Sequence, residues 1–138
     1  MRVLVPMDGS EQSWRAFDYA AEQFPEETLV CLRVIDPVQA GYGIGVGEAA
    51  AAGEWLDAQQ EAAERMFEDV EERAEAAGVD AETMTKTGRP VRAITDVAED
   101  CDHVVIGSHG REGVCRILLG SVAESVVRRS PVPVTVVR

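Results

Sequence analysis

Short apolar runs alternate along this chain with longer amphipathic stretches, and that alternation limits the possible folds more than any other feature. Five runs rich in valine, leucine and isoleucine predict strands, and four stretches with apolar residues at helical spacing predict helices between them. Near-continuous apolar strands that alternate with helices are typical of parallel sheets covered on both faces. We therefore expect one α/β domain over residues 1–138, with helices on both faces of an open five-stranded parallel sheet.

The predicted elements have definite bounds. Pro90 suits the first turn of the third helix, and Gly78 suits the end of the second. The glycine-rich residues 41–47 follow a proline-bearing loop rather than a strand, so we interpret them as a linker or lid and not as a dinucleotide fingerprint. The predicted strands are 2–6, 28–35, 81–86, 104–107 and 132–137, and the predicted helices are 11–23, 49–77, 91–99 and 121–129.

The segment from His103 to Ser121 carries the most specific motif, which reads Gly107-x2-Gly110-x9-Gly120-Ser121. Gly107 would end a buried strand in a sharp turn, Gly110 would let backbone N–H groups approach an oxyanion, and Gly120 would open a helix. The N-terminus of a helix attracts phosphate through its unpaired N–H groups and its dipole. Two structural interpretations stay open, because glycines are common in turns and Ser121 with Glu124 could form an ordinary capping box.

This motif resembles the nucleotide-binding signature of the universal stress protein family. Gly107, Gly110, Gly120 and Ser121 match every position of it. The resemblance extends over the whole chain, through the segments VPMDGSEQS, RVIDP, TGRP and SPVPVTVVR. It implies the strand order 3-2-1-4-5, in which the chain reverses direction between the first and fourth strands, and open α/β sheets bind ligands at such a switch.

The resemblance also implies ATP as the ligand and a set of residues that hold it. Gly110, Gly120, Ser121 and Val122 are expected at the triphosphate, Gly107 and Asp8 beside the ribose, and the backbone of Val34 at the base. From the residue alone, Asp8 could equally be a helix cap or turn residue. The full set of expected nucleotide-binding residues is Pro6, Met7, Asp8, Val34, Ile106, Gly107, His109, Gly110, Arg111, Gly120, Ser121 and Val122.

A divalent cation, Mg²⁺ or Mn²⁺, is expected with the triphosphate, because neutral N–H donors in an acidic protein leave much of its charge uncompensated. We predict no catalytic residue and no protein metal ligand. The chain has no G-x4-G-K-[ST] loop, so slow or absent hydrolysis is expected, as in a stress-response regulatory module. The alternatives are an enzyme that uses ATP, either a slow ATPase or a nucleotidyl transferase, and a family member that has lost nucleotide binding.

The last strand predicts self-association. It is apolar on both faces, and Pro131 and Pro133 restrict it to a sheet edge because proline cannot donate to a strand ladder. An apolar edge associates unless it is covered, and in the family this strand meets its two-fold mate. We expect a homodimer, although the prolines could instead serve to block pairing.

The charge of the chain disfavours nucleic acid and membrane surfaces as partners. The formal net charge is −12, from 25 acidic and 13 basic residues, and 12 of those 13 are arginine. An acidic surface repels duplex nucleic acid and anionic lipid. No apolar run approaches the length of a membrane span, so a cytoplasmic location is expected. Cys31, Cys101 and Cys115 lack metal-site spacing, and we interpret them as small core residues.

The same composition predicts dependence on salt. An excess of carboxylates with a single lysine fits a cytoplasm of molar salt, such as that of a haloarchaeon, where a Debye length of ~3 Å screens the self-repulsion. We expect the protein to lose structure when salt is removed. Circular dichroism in molar salt and after desalting measures this directly, and an unchanged spectrum would contradict the hypothesis.

Overall fold

The computed structural model describes residues 1–38, 49–108 and 120–138. The segment 41–47, the central part of the glycine motif and Cys115 lie outside these ranges. The strands are β1 (Arg2–Pro6), β2 (Thr28–Ile35), β3 (Asp80–Thr87), β4 (His103–Gly107) and β5 (Val134–Val137). The helices are α1 (Glu11–Gln23), α2 (Ala49–Ala77), α3 (Pro90–Ala98) and α4 (Ser121–Arg129).

All five strands form one sheet in the order β3-β2-β1-β4-β5, and every pairing between neighbours is parallel. The predicted fold class and strand order are therefore confirmed. β1 lies at the centre, with Val3 beside Leu29 of β2 and Leu4 beside Val104 of β4. Its three middle residues are fully buried, as expected for a strand covered on both faces.

Helices cover both faces of the sheet and enclose two apolar clusters. On one face, α1 and α2 pack on alternate strand residues around Phe17, Phe67 and Val70. On the other face, α3 and α4 pack around Ile94, Val97 and Val126. Strand side chains alternate between the two clusters, since Val3 and Val5 belong to the first and Leu4 to the second. Cys31 and Cys101 are buried, one in each cluster, which agrees with their interpretation as small core residues.

The last strand is shorter than predicted. It begins at Val134 and not at Val132, because Pro133 has no N–H to give to the ladder. The carbonyl of Pro133 still accepts a hydrogen bond of 2.9 Å from the N–H of Val104. β5 is an edge strand, and all four of its residues are half-buried.

A contact on the surface fastens α1 to α2. The guanidinium of Arg73 lies 4.4 Å from the ring centre of Trp14 and donates to the carboxylate of Asp18 at 3.0 Å. Trp14 also meets Phe17 edge to face. One of the two tryptophans is thus committed to helix packing. At the far end of α2, Gly78 adopts the left-handed conformation (φ +71°) that commonly ends a helix, as its position predicted.

Gly107, the first glycine of the motif, is required for a different reason from the predicted one. Its φ is not positive, so it makes no left-handed turn. A Cβ on Gly107 would instead lie 2.5 Å from the carbonyl oxygen of Gln12, in the first turn of α1. The glycine therefore permits the backbones of β4 and α1 to approach closely where the two meet.

We predict that Gly107→Ala destabilises the protein by about 1–3 kcal/mol, because the methyl group would push the first turn of α1 away from the sheet. Gly53→Ala is the matched control: a methyl group at this position in α2 would meet nothing within 4 Å, and the substitution should stabilise by about 0.5–1 kcal/mol. Urea unfolding curves of both variants measure the difference. Equal stability of the two would show that the close approach carries no cost.

In the part of the chain that the structure describes, no helix is both long and apolar enough to cross a membrane.

Candidate functional site

A cavity opens at the carboxyl ends of the central strands, where the strand order reverses. The segment after β1 leads to α1 on one face of the sheet, and the chain returns from α4 on the other face. A crevice therefore remains between the two connections, as is typical of open α/β sheets where the strand order reverses. Its volume is about 560 Å³, within the range of small-molecule sites.

Most of the residues predicted for nucleotide binding line this one cavity. Nine of the twelve lie in the described ranges, and all nine contribute to the lining. His109, Gly110 and Arg111 lie outside the described residues. The nine are Pro6, Met7, Asp8, Val34, Ile106, Gly107, Gly120, Ser121 and Val122.

The N-terminus of α4 opens onto the cavity without a side-chain cap. Gly120 is the N-cap residue and has no side chain to offer, so the capping box suggested for Ser121 and Glu124 is absent. The first helical hydrogen bond runs from the N–H of Glu124 to the carbonyl of Gly120, at 2.9 Å. The N–H groups of Ser121, Val122 and Ala123 therefore have no partner within the helix, and all three residues line the cavity.

The N-terminus of α1 has a different arrangement. Ser10 caps it, and the hydroxyl of Ser10 accepts a hydrogen bond from the N–H of Ser13 at 3.2 Å. Three helix N-termini thus border the same cavity. Ser10 caps α1, whereas α3 and α4 have no side-chain cap, and α3 offers one N–H fewer than α4 because its first residue is Pro90. An uncapped helix N-terminus at a cavity is suited to an anionic group.

Asp8 provides a carboxylate at the end of β1. One of its oxygens accepts a hydrogen bond of 2.9 Å from the N–H of Ser10, so Asp8 is a turn residue and Ser10 the helix cap. Partial desolvation in the cavity acts to raise the pKa of Asp8, but hydrogen bonds from Ser10 and Ser13 and the charge of Arg33 outweigh it and hold the pKa below its ordinary value. The group is ionised at neutral pH and can accept hydrogen bonds from a ligand.

The end of β4 supplies a hydroxyl that the sequence did not reveal. Ser108 is buried and lines the cavity, while its N–H donates to the carbonyl of Val137 at 2.8 Å. The backbone bond continues the β4–β5 ladder beyond the strand and fixes where Ser108 lies. The position of Ser108 between the motif residues Gly107 and Gly110 is the sequence signal that could have identified it, because the residue next to Gly107 lies at the same end of β4.

The side of the cavity near β2 is mainly apolar. Leu32 and Val34 come from β2, Ile94 from the other face through α3, and Trp55 with Gln59 from α2. Sequence reasoning did not single out Trp55 or Gln59, since neither residue belongs to a recognisable motif. Arg33 was not expected in the site either, yet it is the one cationic side chain among the described lining residues.

The cavity therefore combines an open helix N-terminus at one side with apolar walls at the other. Such a site fits a ligand that has both an anionic and a planar or apolar part. Within the described ranges, no three His, Cys, Asp or Glu side chains come together to hold a metal ion.

Comparison with known proteins gives consistent matches over the full chain. The model of the universal stress protein family matches residues 1–138. Universal stress protein MJ0531 of Methanocaldococcus jannaschii is 33% identical over 145 aligned positions, which cover 99% of this chain and 81% of that protein.

Solved structures of universal stress proteins also match this chain over its full length. Universal stress protein UspA from Lactobacillus plantarum has a TM-score of 0.88 at 26% identity, and the match covers 100% of this chain and 97% of the other. A universal stress protein solved in complex with cAMP has a TM-score of 0.65 at 28% identity, covering 100% and 96% of the two chains. The sequence, the strand order and these relatives agree that the chain belongs to the universal stress protein family.

Proposed function

We propose that this protein binds ATP in the cavity at the ends of β1 and β4 and acts as a nucleotide-dependent regulatory module of the cytoplasmic stress response. The observation that carries the proposal is the uncapped N-terminus of α4, which opens onto a cavity of about 560 Å³. The structure with cAMP supports the ligand class, since that relative is itself a universal stress protein with a nucleotide bound.

The triphosphate lies at α4, where the N–H groups of Ser121 and Val122 and the seryl hydroxyl donate to its oxygens. The ribose lies beside Gly107, and Asp8 accepts hydrogen bonds from the ribose hydroxyls. The base lies toward β2 and meets the backbone of Val34. Pro6, Met7 and Ile106 form the floor. His109, Gly110 and Arg111 are included among the proposed nucleotide-binding residues on the strength of the family resemblance alone.

A divalent cation, Mg²⁺ or Mn²⁺, accompanies the triphosphate in this proposal. The residues present fit a cation held chiefly by phosphate oxygens and water, because the described lining offers the separate carboxylates Asp8 and Asp36 and no cluster of ligands. Mg²⁺ commonly binds in this way, through substrate phosphates and one or two carboxylates. The cation would neutralise part of the charge that N–H donors leave uncompensated.

Hydrolysis is slow or absent in the proposed function. Fast phosphoryl transfer needs a cation clamp on the γ-phosphate and a group that orients the attacking water. The chain has no G-x4-G-K-[ST] loop, and its single lysine, Lys86, lies on the edge strand β3. The competing function is an enzyme that uses ATP; release of phosphate or pyrophosphate faster than about 1 per second would favour it.

The proposed assembly is a homodimer through the edge strand β5. All four residues of β5 keep partial exposure, and the outer edge of the strand pairs with no other described strand. An apolar edge of this kind associates with another strand unless it is protected. Light scattering in molar salt should give twice the mass of one chain, and a monomer mass would remove the claim.

The nucleotide itself can be tested on the purified protein. We expect protein kept in molar salt and then denatured to release ATP, which mass spectrometry identifies. Gly120→Asp should abolish retention, because it places a carboxylate where the phosphates bind. Gly53→Asp is the control: it adds the same charge on the exposed surface of α2 and should retain ATP. Equal retention by both variants would contradict the proposed phosphate site.

Asp8 can be tested through the ribose. Asp8→Asn keeps an oxygen for the N–H of Ser10 but removes the charge. Because hydrogen bonds to a charged acceptor exceed neutral ones by about 1 kcal/mol, we expect ATP to bind roughly five-fold more weakly. Binding of 2′,3′-dideoxy-ATP should not change. Calorimetry with both nucleotides measures the effect, and an equal loss for the two would place Asp8 away from the ribose.

A further inference from the structure

The N-terminal part of α2 extends beyond the sheet and forms a wall of the cavity. α2 ends at Ala77, and β3 then begins beside the start of β2, so α2 runs antiparallel to the strands. Met66 passes the end of β1, since a Cβ on Gly9 would lie 3.8 Å from its sulfur. Trp55 lies eleven residues earlier, about 16 Å further along the helix. The first turns of α2 therefore overhang the carboxyl ends of the strands.

Trp55 faces this cavity and not the core. The apolar core residues of α2 begin at Ala63 and continue through Phe67, Val70 and Ala74. Trp55 is half-buried, contributes to the cavity lining and belongs to neither apolar cluster of the described residues. It is also the one aromatic side chain among the described lining residues. An aromatic side chain in the lining of a cavity contributes a large apolar contact area to a ligand that binds there.

The position of the phosphate site fixes which part of a nucleotide would reach Trp55. The phosphate site proposed above is the open N-terminus of α4, next to the end of β4. β1 separates β4 from β2, so the β2 side of the cavity lies about 10 Å away. A nucleotide with its phosphates at α4 and its base inside the cavity would extend across β1 to the β2 side. Trp55 lines that side from the α2 face, and Ile94 lines it from the α3 face.

From this placement we propose that Trp55 is the base-stacking residue of the site and that the overhang of α2 determines its preference for ligands with an aromatic base. The proposal rests on nucleotide binding in this cavity and adds to it a residue outside the glycine motif. Stacking on an aromatic side chain stabilises every base, because each base has a π-face, so stacking discriminates little among bases. Trp55 thus selects nucleotides over free polyphosphate, while hydrogen bonds elsewhere choose among bases.

Calorimetry with two probes, ATP and inorganic tripolyphosphate, tests the stacking role of Trp55 separately from nucleotide binding in the cavity. In molar salt, Trp55→Ala should weaken ATP binding roughly ten-fold, which corresponds to the stacking of one base. Binding of tripolyphosphate should stay as in the unaltered protein, since it has no base. Trp55→Phe keeps an aromatic face and should restore most of the affinity for ATP. Circular dichroism checks that each variant is folded.

Fluorescence supplies an independent measurement with a matched control. The protein has two tryptophans, and Trp14 is packed under Arg73 away from the cavity lining. We expect ATP to change the emission of the unaltered protein and of Trp14→Phe, where Trp55 is the remaining tryptophan. In Trp55→Phe the change should be lost although ATP still binds.

The outcomes distinguish the two proposals. If neither ATP nor tripolyphosphate binds the unaltered protein, nucleotide binding fails and the role of Trp55 fails with it. If both bind but Trp55→Ala binds ATP as tightly as the unaltered protein does, only the stacking role is overturned. An equal loss of ATP and tripolyphosphate in Trp55→Ala would also overturn it, because that result indicates damage to the whole site.

Discussion

The burial of β1 between its two neighbours is the constraint on which the rest of the molecule depends. Val3, Leu4 and Val5 have no exposed surface, because β2 and β4 pair on either side and helices cover both faces. The chain leaves β1 toward α1 on one face of the sheet, and it leaves the neighbouring strand β4 toward α4 on the other face. The crevice at the carboxyl ends is therefore a consequence of covering both faces of the sheet with helices, which buries the apolar residues of β1. The site requires no additional distortion of the fold.

The close approach at Gly107 joins the core to the site. The first turn of α1 lies against the end of β4 so tightly that a methyl group would meet the carbonyl of Gln12. This contact brings Asp8 and Ser10, which precede α1, to the same edge as Ser108 and Gly120. This glycine therefore serves the packing of α1 against β4 at the edge of the cavity. A motif glycine can therefore be functional without touching a ligand.

The sequence predicted the sheet well because strand identity depends on local apolar character. The bounds of β1, β2, α1, α2 and α4 agree with the structure, and the strand order followed from the family resemblance. Errors arose where single residues decide. Pro133 shortened β5, and Gly107 permits a close approach of α1 and not the sharp turn that was predicted for it. Trp55 was missed for a different reason: whether a helix residue faces the core or a cavity depends on where the sheet ends, and local periodicity does not contain that information.

The way this site would hold an anion also suits the charge of the chain. Among the described lining residues, the carboxylates of Asp8 and Asp36 outnumber the guanidinium of Arg33, so long-range attraction of a triphosphate is weak. In molar salt such attraction would be lost in any case, since charges are screened beyond ~3 Å. Hydrogen bonds from backbone N–H groups act at contact distance, and apolar contacts with a base do not weaken with salt. A site built from an open helix N-terminus and an aromatic wall would therefore keep its affinity in high salt, where a lysine-rich site would lose much of its electrostatic attraction for phosphate.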